Sequence, residues 1–146
     1  DADRVAEIKN QFPDVHTVSP AEIFVQAVDI LAPCASSRII TGDLATKLLC
    51  KAIVGGANNQ LLDVDVGDIL YNKGIIYAPD YVVNAGGLMC VVDEYKYGEH
   101  DTERVARQVK HIGATMRHIL QVSRISHTPP HRIADQYAEQ ILNTGL

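Results

Sequence analysis

Residues 52–60 read Ala52-Ile53-Val54-Gly55-Gly56-Ala57-Asn58-Asn59-Gln60. A short apolar run ends in three small residues, and uncharged amides follow. Such a run bounded by turn formers reads as a buried strand. Two neighbouring stretches are built the same way. Upstream lies Val28-Asp29-Ile30-Leu31-Ala32-Pro33, and downstream lies Ile75-Ile76-Tyr77-Ala78-Pro79. Between them fall helix patterns. Thr41-Gly42-Asp43 precedes Leu44, Ala45, Leu48 and Leu49, and Asp65 to Lys73 is closed by Gly74. Strands that alternate with helices and are apolar almost throughout point to a parallel sheet buried on both faces.

The flanks are helical. Asp3 is placed to cap a short helix running to Phe12, with Val5, Ile8 and Phe12 on one stripe and Pro13 as its stop. Ser19-Pro20-Ala21-Glu22 is a capping box opening another short helix. Asn84 to Tyr95 reads as helix despite the glycine pair at its start. Thr102 to Ser126 forms a long helix with Val105, Val109, Ile112, Met116, Ile119 and Val122 on one side. Pro129-Pro130 starts a last helix, with Ile133, Tyr137 and Ile141 facing inward.

The composition excludes several classes. The chain has 146 residues, 47% hydrophobic and 21% charged, with a net charge of -5. That suits one domain with one core. No basic stripe suggests nucleic acid as a partner. No apolar run approaches the roughly 20 residues of a membrane helix. The terminus Asp-Ala-Asp-Arg resembles neither a signal nor a transit peptide. Cys34, Cys50 and Cys90 are odd in number and widely spaced. They fit neither a disulfide framework nor a zinc site. Free buried thiols in a reducing, cytoplasmic compartment are expected. His111 and His118 share a helix face but lack the i, i+4 spacing of a helical zinc site, so no metal is expected. Lys96 reads as the polar end of a helix, and no Ser-His-Asp or Cys-His arrangement stands out.

In parallel sheets ligands bind at the carboxyl ends of the strands. This rule singles out residues 32–35, 55–60 and 79–87. Small residues at Gly55, Gly56 and Ala57 allow close approach to the backbone, and the amides after them suit a neutral ribose or carboxamide. A plain turn explains the same residues equally well. Asn84-Ala85-Gly86-Gly87 has the same character at an expected helix start, where unpaired N–H groups or a simple cap are both open readings. The sequence holds no G-x-G-x-x-G. On chemistry alone, Asp1 and Asp3 form a solvated acidic terminus.

Taken together, four motifs resemble a known family. Ala32-Pro33-Cys34-Ala35, Gly56-Ala57-Asn58-Asn59-Gln60-Leu61, Tyr77-Ala78-Pro79-Asp80-Tyr81 and Asn84-Ala85-Gly86-Gly87 occur in the order and spacing of the Glu/Leu/Phe/Val dehydrogenases. The Ala-Asn-Asn-Gln-Leu form is similar to the leucine/phenylalanine/valine branch. Val92-Asp93-Glu94 and Ile133-Ala134-Asp135-Gln136-Tyr137-Ala138-Glu139 resemble the leucine enzymes as well. The likeness covers essentially the whole chain.

The resemblance implies an α/β fold: a Rossmann-like, mostly parallel sheet with flanking helices. Its first strand-loop-helix is expected to be missing, and C-terminal helices are added. Residues 1–146 would be part of an NAD-binding domain. The full-length parent would be an NAD-dependent dehydrogenase that deaminates leucine or a similar apolar L-amino acid to the 2-oxo acid. It would be a homo-oligomer. Asp1 is implied at the adenosine ribose. Ala32, Pro33, Cys34, Ala57 and Asn58 are implied along the dinucleotide, with Asn84 beside the nicotinamide ribose or the substrate. Leu88 and Val91 correspond to the substrate side-chain pocket. The catalytic lysine and aspartate are expected in an N-terminal domain outside this sequence. A non-catalytic binding module is the alternative. A glutamate-specific enzyme is another, which the apolar pair Leu88 and Val91 argues against.

Overall fold

A computed structural model describes residues 2–145. Three parallel strands, β1 (Ile30–Leu31), β2 (Ala52–Ile53) and β3 (Ile76–Tyr77), stand in the order β1-β2-β3. The helices are α1 (Ala2–Gln11), α2 (Gly42–Lys47), α3 (Val64–Asn72), α4 (Asp80–Val83), α5 (Gly86–Tyr97), α6 (Thr102–Ser126) and α7 (Pro130–Thr144). This is the expected α/β, Rossmann-like arrangement.

Local chemistry sets most boundaries. Thr41 caps α2 by accepting from the Leu44 N–H at 3.2 Å, and Asp63 caps α3 through the Val66 N–H at 3.2 Å. Gly74 closes α3 at φ +79, a backbone state that glycine adopts without steric cost. Lys73 reaches across from the end of α3 and donates to the Thr46 and Leu48 carbonyls, which α2 leaves unpaired at its C-terminus. Thr102–Ser126 forms as one helix, capped by Asp101 through the Arg104 N–H at 2.9 Å.

Several expectations change. Regular pairing covers two residues per strand where the sequence suggests five or six. Backbone bonds still run on to Pro33 O, which accepts from the Ala57 N–H at 3.0 Å. Asp3 lies inside the first turn of α1 and does not cap it. Val5, Ile8 and Phe12 are exposed, because nothing among the described residues covers that stripe. The Ser19–Glu22 box forms, with Ser19 Oγ donating to Glu22 at 2.7 Å, yet it opens only a turn and the 3-10 helix Ile23–Val25. Of the last helix, Ile133 is buried, Tyr137 is half-buried and Ile141 is exposed.

The sheet is buried on one face, not on both. Leu31, Ile53 and Tyr77 pack with Ala45 of α2, Leu48 at its C-terminal cap, and Val66 and Leu70 of α3. Each fully buried aliphatic there contributes about 1.5–3 kcal/mol. The alternating residues Ile30 and Ile76 remain 60% and 48% exposed. A second core joins Ala78 to Met116, Ile119, Ile133 and Ala134, tying α6 and α7 to the end of β3. Cys50 is buried, whereas Cys34 is exposed and Cys90 half-buried, so the expectation of three buried thiols holds for one.

Candidate functional site at the carboxyl edge of the sheet

The segments that follow the three strands lock onto one another. Ideal Cβ geometry at Gly55 would put a methyl 2.2 Å from Pro33 O, so only glycine lets the β1 and β2 segments meet here. The Gly56 N–H donates to Cys34 Sγ at 3.3 Å. Gln60 is fully buried. Its Nε2 donates to Gly55 O at 2.8 Å and Ala57 O at 2.9 Å, folding the loop back on itself. Gln60 thus braces the loop and is not an amide offered to a ligand.

Beneath the loop lies Asp80, 6% exposed. Its Oδ2 accepts from the Gln60 N–H at 2.9 Å and from the Tyr77 hydroxyl at 2.6 Å. Burial pushes the Tyr77 phenol well above its usual range, and the Asp80 carboxylate adds to the shift, so Tyr77 stays a neutral donor. Tyr81 is shifted the same way by burial and by its 2.5 Å bond to Asp135.

Asn84 does not start a helix, as its sequence context suggests. It is the C-terminal cap of α4, and α5 begins at Gly86. Its side chain turns back to the β2 loop. Nδ2 donates to Asn58 Oδ1 at 2.7 Å and approaches Gly56 O and Ala57 O at 3.3 Å. The Asn84 carbonyl oxygen and the Asn58 amide nitrogen have no partner among the described residues.

The structure therefore brings Pro33, Cys34, Ala57, Asn58 and Asn84 together, with Ala32 at the end of β1 beside them. An open cleft of about 580 Å³ is lined by Asn58, Asn84, Gly87 and Leu88, and Asp80 is its one charged lining residue. Ala32, Pro33 and Cys34 line a separate, mainly apolar cleft of about 290 Å³. Val91 is 63% exposed on α5 and lines neither. Asp1 lies outside the described residues. Sequence reasoning assigned no role to Asp80, Tyr81 and His131. For Asp80 the signal was the Tyr77-Ala78-Pro79-Asp80-Tyr81 motif itself, whose carboxylate ties the loop after β2 to the end of β3.

Residues 1–132 match the family model of the Glutamate/Leucine/Phenylalanine/Valine dehydrogenases. The chain belongs to this family. It is 42% identical to the leucine dehydrogenase of Bacillus subtilis (strain 168) over 123 residues, 84% of this chain and 33% of that protein. It is 36% identical to the phenylalanine dehydrogenase of Caldalkalibacillus thermarum (strain TA2.A1) over 146 residues, 97% of this chain and 39% of that one. Among solved structures, the L-tryptophan dehydrogenase of Nostoc punctiforme superposes with a TM-score of 0.89 at 36% identity. That match covers 95% of this chain and 41% of the other. The chain thus spans a third to two fifths of the length of these family members.

Proposed function

We propose that this chain is the dinucleotide-facing part of an NAD-dependent L-amino-acid dehydrogenase acting on leucine or a similar apolar amino acid. The observation that carries the reading is the Asn58–Asn84 pair at the carboxyl edge of parallel strands. It leaves one neutral donor and one neutral acceptor open beside small residues, and a carboxamide or ribose hydroxyl matches both. The names of the relatives support the same chemistry.

The fit is partial. No G-x-G-x-x-G stands among these residues, so the cradle for the diphosphate is not supplied here. NAD rather than NADP rests on Asp1 alone. A bound nicotinamide would supply the acceptor for a hydride from the substrate α-carbon. The chain's own contribution is to bind and orient. Asn58 and Asn84 hold the neutral end of the cofactor, and Leu88 shields the cleft beside it, with Val91 farther along α5. No acid or base for the reaction is assigned on this chain. Leu88 in the cleft wall supports an apolar substrate side chain over that of glutamate. A cytoplasmic homo-oligomer belongs to the same reading, the compartment resting on the free thiols and the oligomer on the family resemblance. Among the described residues no helix is long and apolar enough to cross a membrane.

Calorimetric titration of the 146-residue chain with NAD, beside an assay of NADH formation from leucine, valine and phenylalanine, tests this. Weak NAD binding that Asn84→Ala removes, with no turnover, is the expected result. Turnover above background would mean that acid–base groups on this chain have been overlooked. NAD binding indifferent to Asn84→Ala would move the cofactor elsewhere.

A further inference from the structure

The three free thiols sit in three different settings, and one of them has a base beside it. Cys50 is buried in the core, and burial pushes its thiol up. Cys34 is exposed, and its sulfur accepts the Gly56 N–H. Cys90 is half-buried on α5, and its Sγ lies 3.5 Å from Nδ1 of His100. A spacing of ten residues matches no motif, so the pair is not legible in the sequence.

The fold holds these two side chains together from three directions. Gly98, at φ +75, ends α5 and redirects the chain. Arg104, in the first turn of α6, then fastens the connecting loop to α5. Its Nε donates to both carboxylate oxygens of the buried Asp93, at 2.7 and 2.9 Å. Its remaining nitrogens donate to Asp101 Oδ2 at 3.1 Å and to the Glu99 carbonyl at 3.2 Å. Glu99 and Asp101 flank His100, so the ring stands on a loop fixed on both sides. Last, Thr102 Oγ1 lies 3.2 Å from Nε2 of the ring. An imidazole that keeps its hydrogen on Nε2 has an open acceptor at Nδ1, and a Thr102 hydroxyl that accepts from Nε2–H favours that tautomer. Nucleophile, base and orienting group thus follow one another within hydrogen-bond reach.

We propose that Cys90 is a site of thiol–disulfide exchange, modified by low-molecular-weight disulfides with His100 as its base. The Cys90 thiol gives its proton to Nδ1, and the sulfur attacks one sulfur of the disulfide R–S–S–R. A bond forms between Sγ and that sulfur, the S–S bond of the reagent breaks, and its electron pair leaves on the second sulfur. That thiolate takes the proton from the ring and departs as R–SH. One disulfide is consumed and one is formed, so no further oxidant is needed. A thiol without help is only a few per cent thiolate near neutral pH, and a base at hydrogen-bond distance removes that handicap. Cys34 meets a donor, not a base, and Cys50 is sealed. Cys90 is outside the lining of the candidate cofactor cleft, so the exchange does not depend on the cofactor reading.

The test incubates the full 146-residue chain with 2-hydroxyethyl disulfide near neutral pH. This reagent is uncharged, so the carboxylates near His100 neither attract nor repel it. The reaction is quenched in acid, and each cysteine is read by peptide mass spectrometry. Cys90 is expected to form its mixed disulfide at least about tenfold faster than Cys34, with Cys50 unmodified. His100→Asn keeps an amide near the Nδ1 position but takes no proton. It should slow Cys90 by about tenfold or more and leave Cys34 unchanged. Thr102→Val removes the orienting hydroxyl and should slow Cys90 by a smaller factor. Protection of Cys50 in the same map shows that a variant is folded, and His100→Gln serves if His100→Asn loses that protection. Cys90 reacting no faster than Cys34, or reacting undiminished without His100, would overturn the proposal. Neither NAD nor turnover is read, so its failure leaves the cofactor reading standing.

Discussion

The two faces of the three-stranded sheet carry the same kind of side chain and meet opposite fates. Ile53 is 0% exposed against α2 and α3, while Ile30 and Ile76 are 60% and 48% exposed on the reverse side. Composition cannot tell these isoleucines apart. What separates them is whether an element packs over them, and among the described residues only one face has such a layer. Near-continuous apolar strands in a parallel sheet normally mean cover on both faces. The open face is thus a property of neighbours, not of the strands.

The largest expected effect would break or uphold that contrast directly. Ile53→Ala removes buried methylenes at the centre of the sheet and should cost about 2–5 kcal/mol in urea unfolding, whereas Ile30→Ala should stay within about 0.5 kcal/mol. Equal losses would mean that the second face is covered in solution.

Next comes a contrast in how tightly backbone approaches backbone. Gly55→Ala must displace Pro33 and should cost about 1–3 kcal/mol, seen as a lower Tm. Gly87→Ala, with nothing within 4 Å in the first turn of α5, should raise stability by up to about 1 kcal/mol. A neutral Gly55→Ala would show that the loop contact yields easily.

The covered side should also respond to pH. Burial holds His131 below its ordinary value of 6.5. The unfolded chain takes up this proton near pH 6.5 and the folded chain does so only at lower pH. Between the two values the unfolded state binds more protons, so stability falls as pH falls. The slope is at most about 1.4 kcal/mol per unit for one group, and the contribution is flat above 6.5. The carboxylates of Asp68 and Asp93, held low chiefly by their bonds to Arg132 and Arg104, lose their contribution only below their ordinary 3.8. His131→Gln should abolish its part of the slope in urea titrations below pH 6.5, and an unchanged profile would assign the slope to other groups.

The smallest effects compare two caps. Thr41→Ala removes the acceptor that begins α2 beside the core and should cost about 1 kcal/mol. Ser19→Ala unmakes a well-formed box that opens only a 3-10 turn in an exposed segment, and should cost no more than about 0.5 kcal/mol by thermal unfolding.

These pairs show which parts of the molecule were legible beforehand. Thr41, Gly74 and the Thr102–Ser126 stripe act through bonds within a turn or two of their own position, so their sequence was sufficient. The alternation of strand and helix marked the carboxyl edge as the place for a site, and Pro33, Cys34, Ala57, Asn58 and Asn84 do gather there. The direction of the amides was not legible. Asn84 lies next to two glycines and reads as the start of a helix, yet its side chain belongs to a loop 26 residues earlier. Gln60 resembles its neighbours Asn58 and Asn59 in chemistry and is nonetheless sealed inside.

Sequence by itself determined the alternation of strands and helices, the stop at Gly74 and the family, because periodicity, turn chemistry and motif spacing are local or ordered along the chain. Only the tertiary structure decided which sheet face is covered and that Asp80 joins the segments after β2 and β3. Those facts depend on groups distant in sequence meeting at hydrogen-bond or van der Waals range. Burial and bonding at such range are set by packing, which no local pattern encodes.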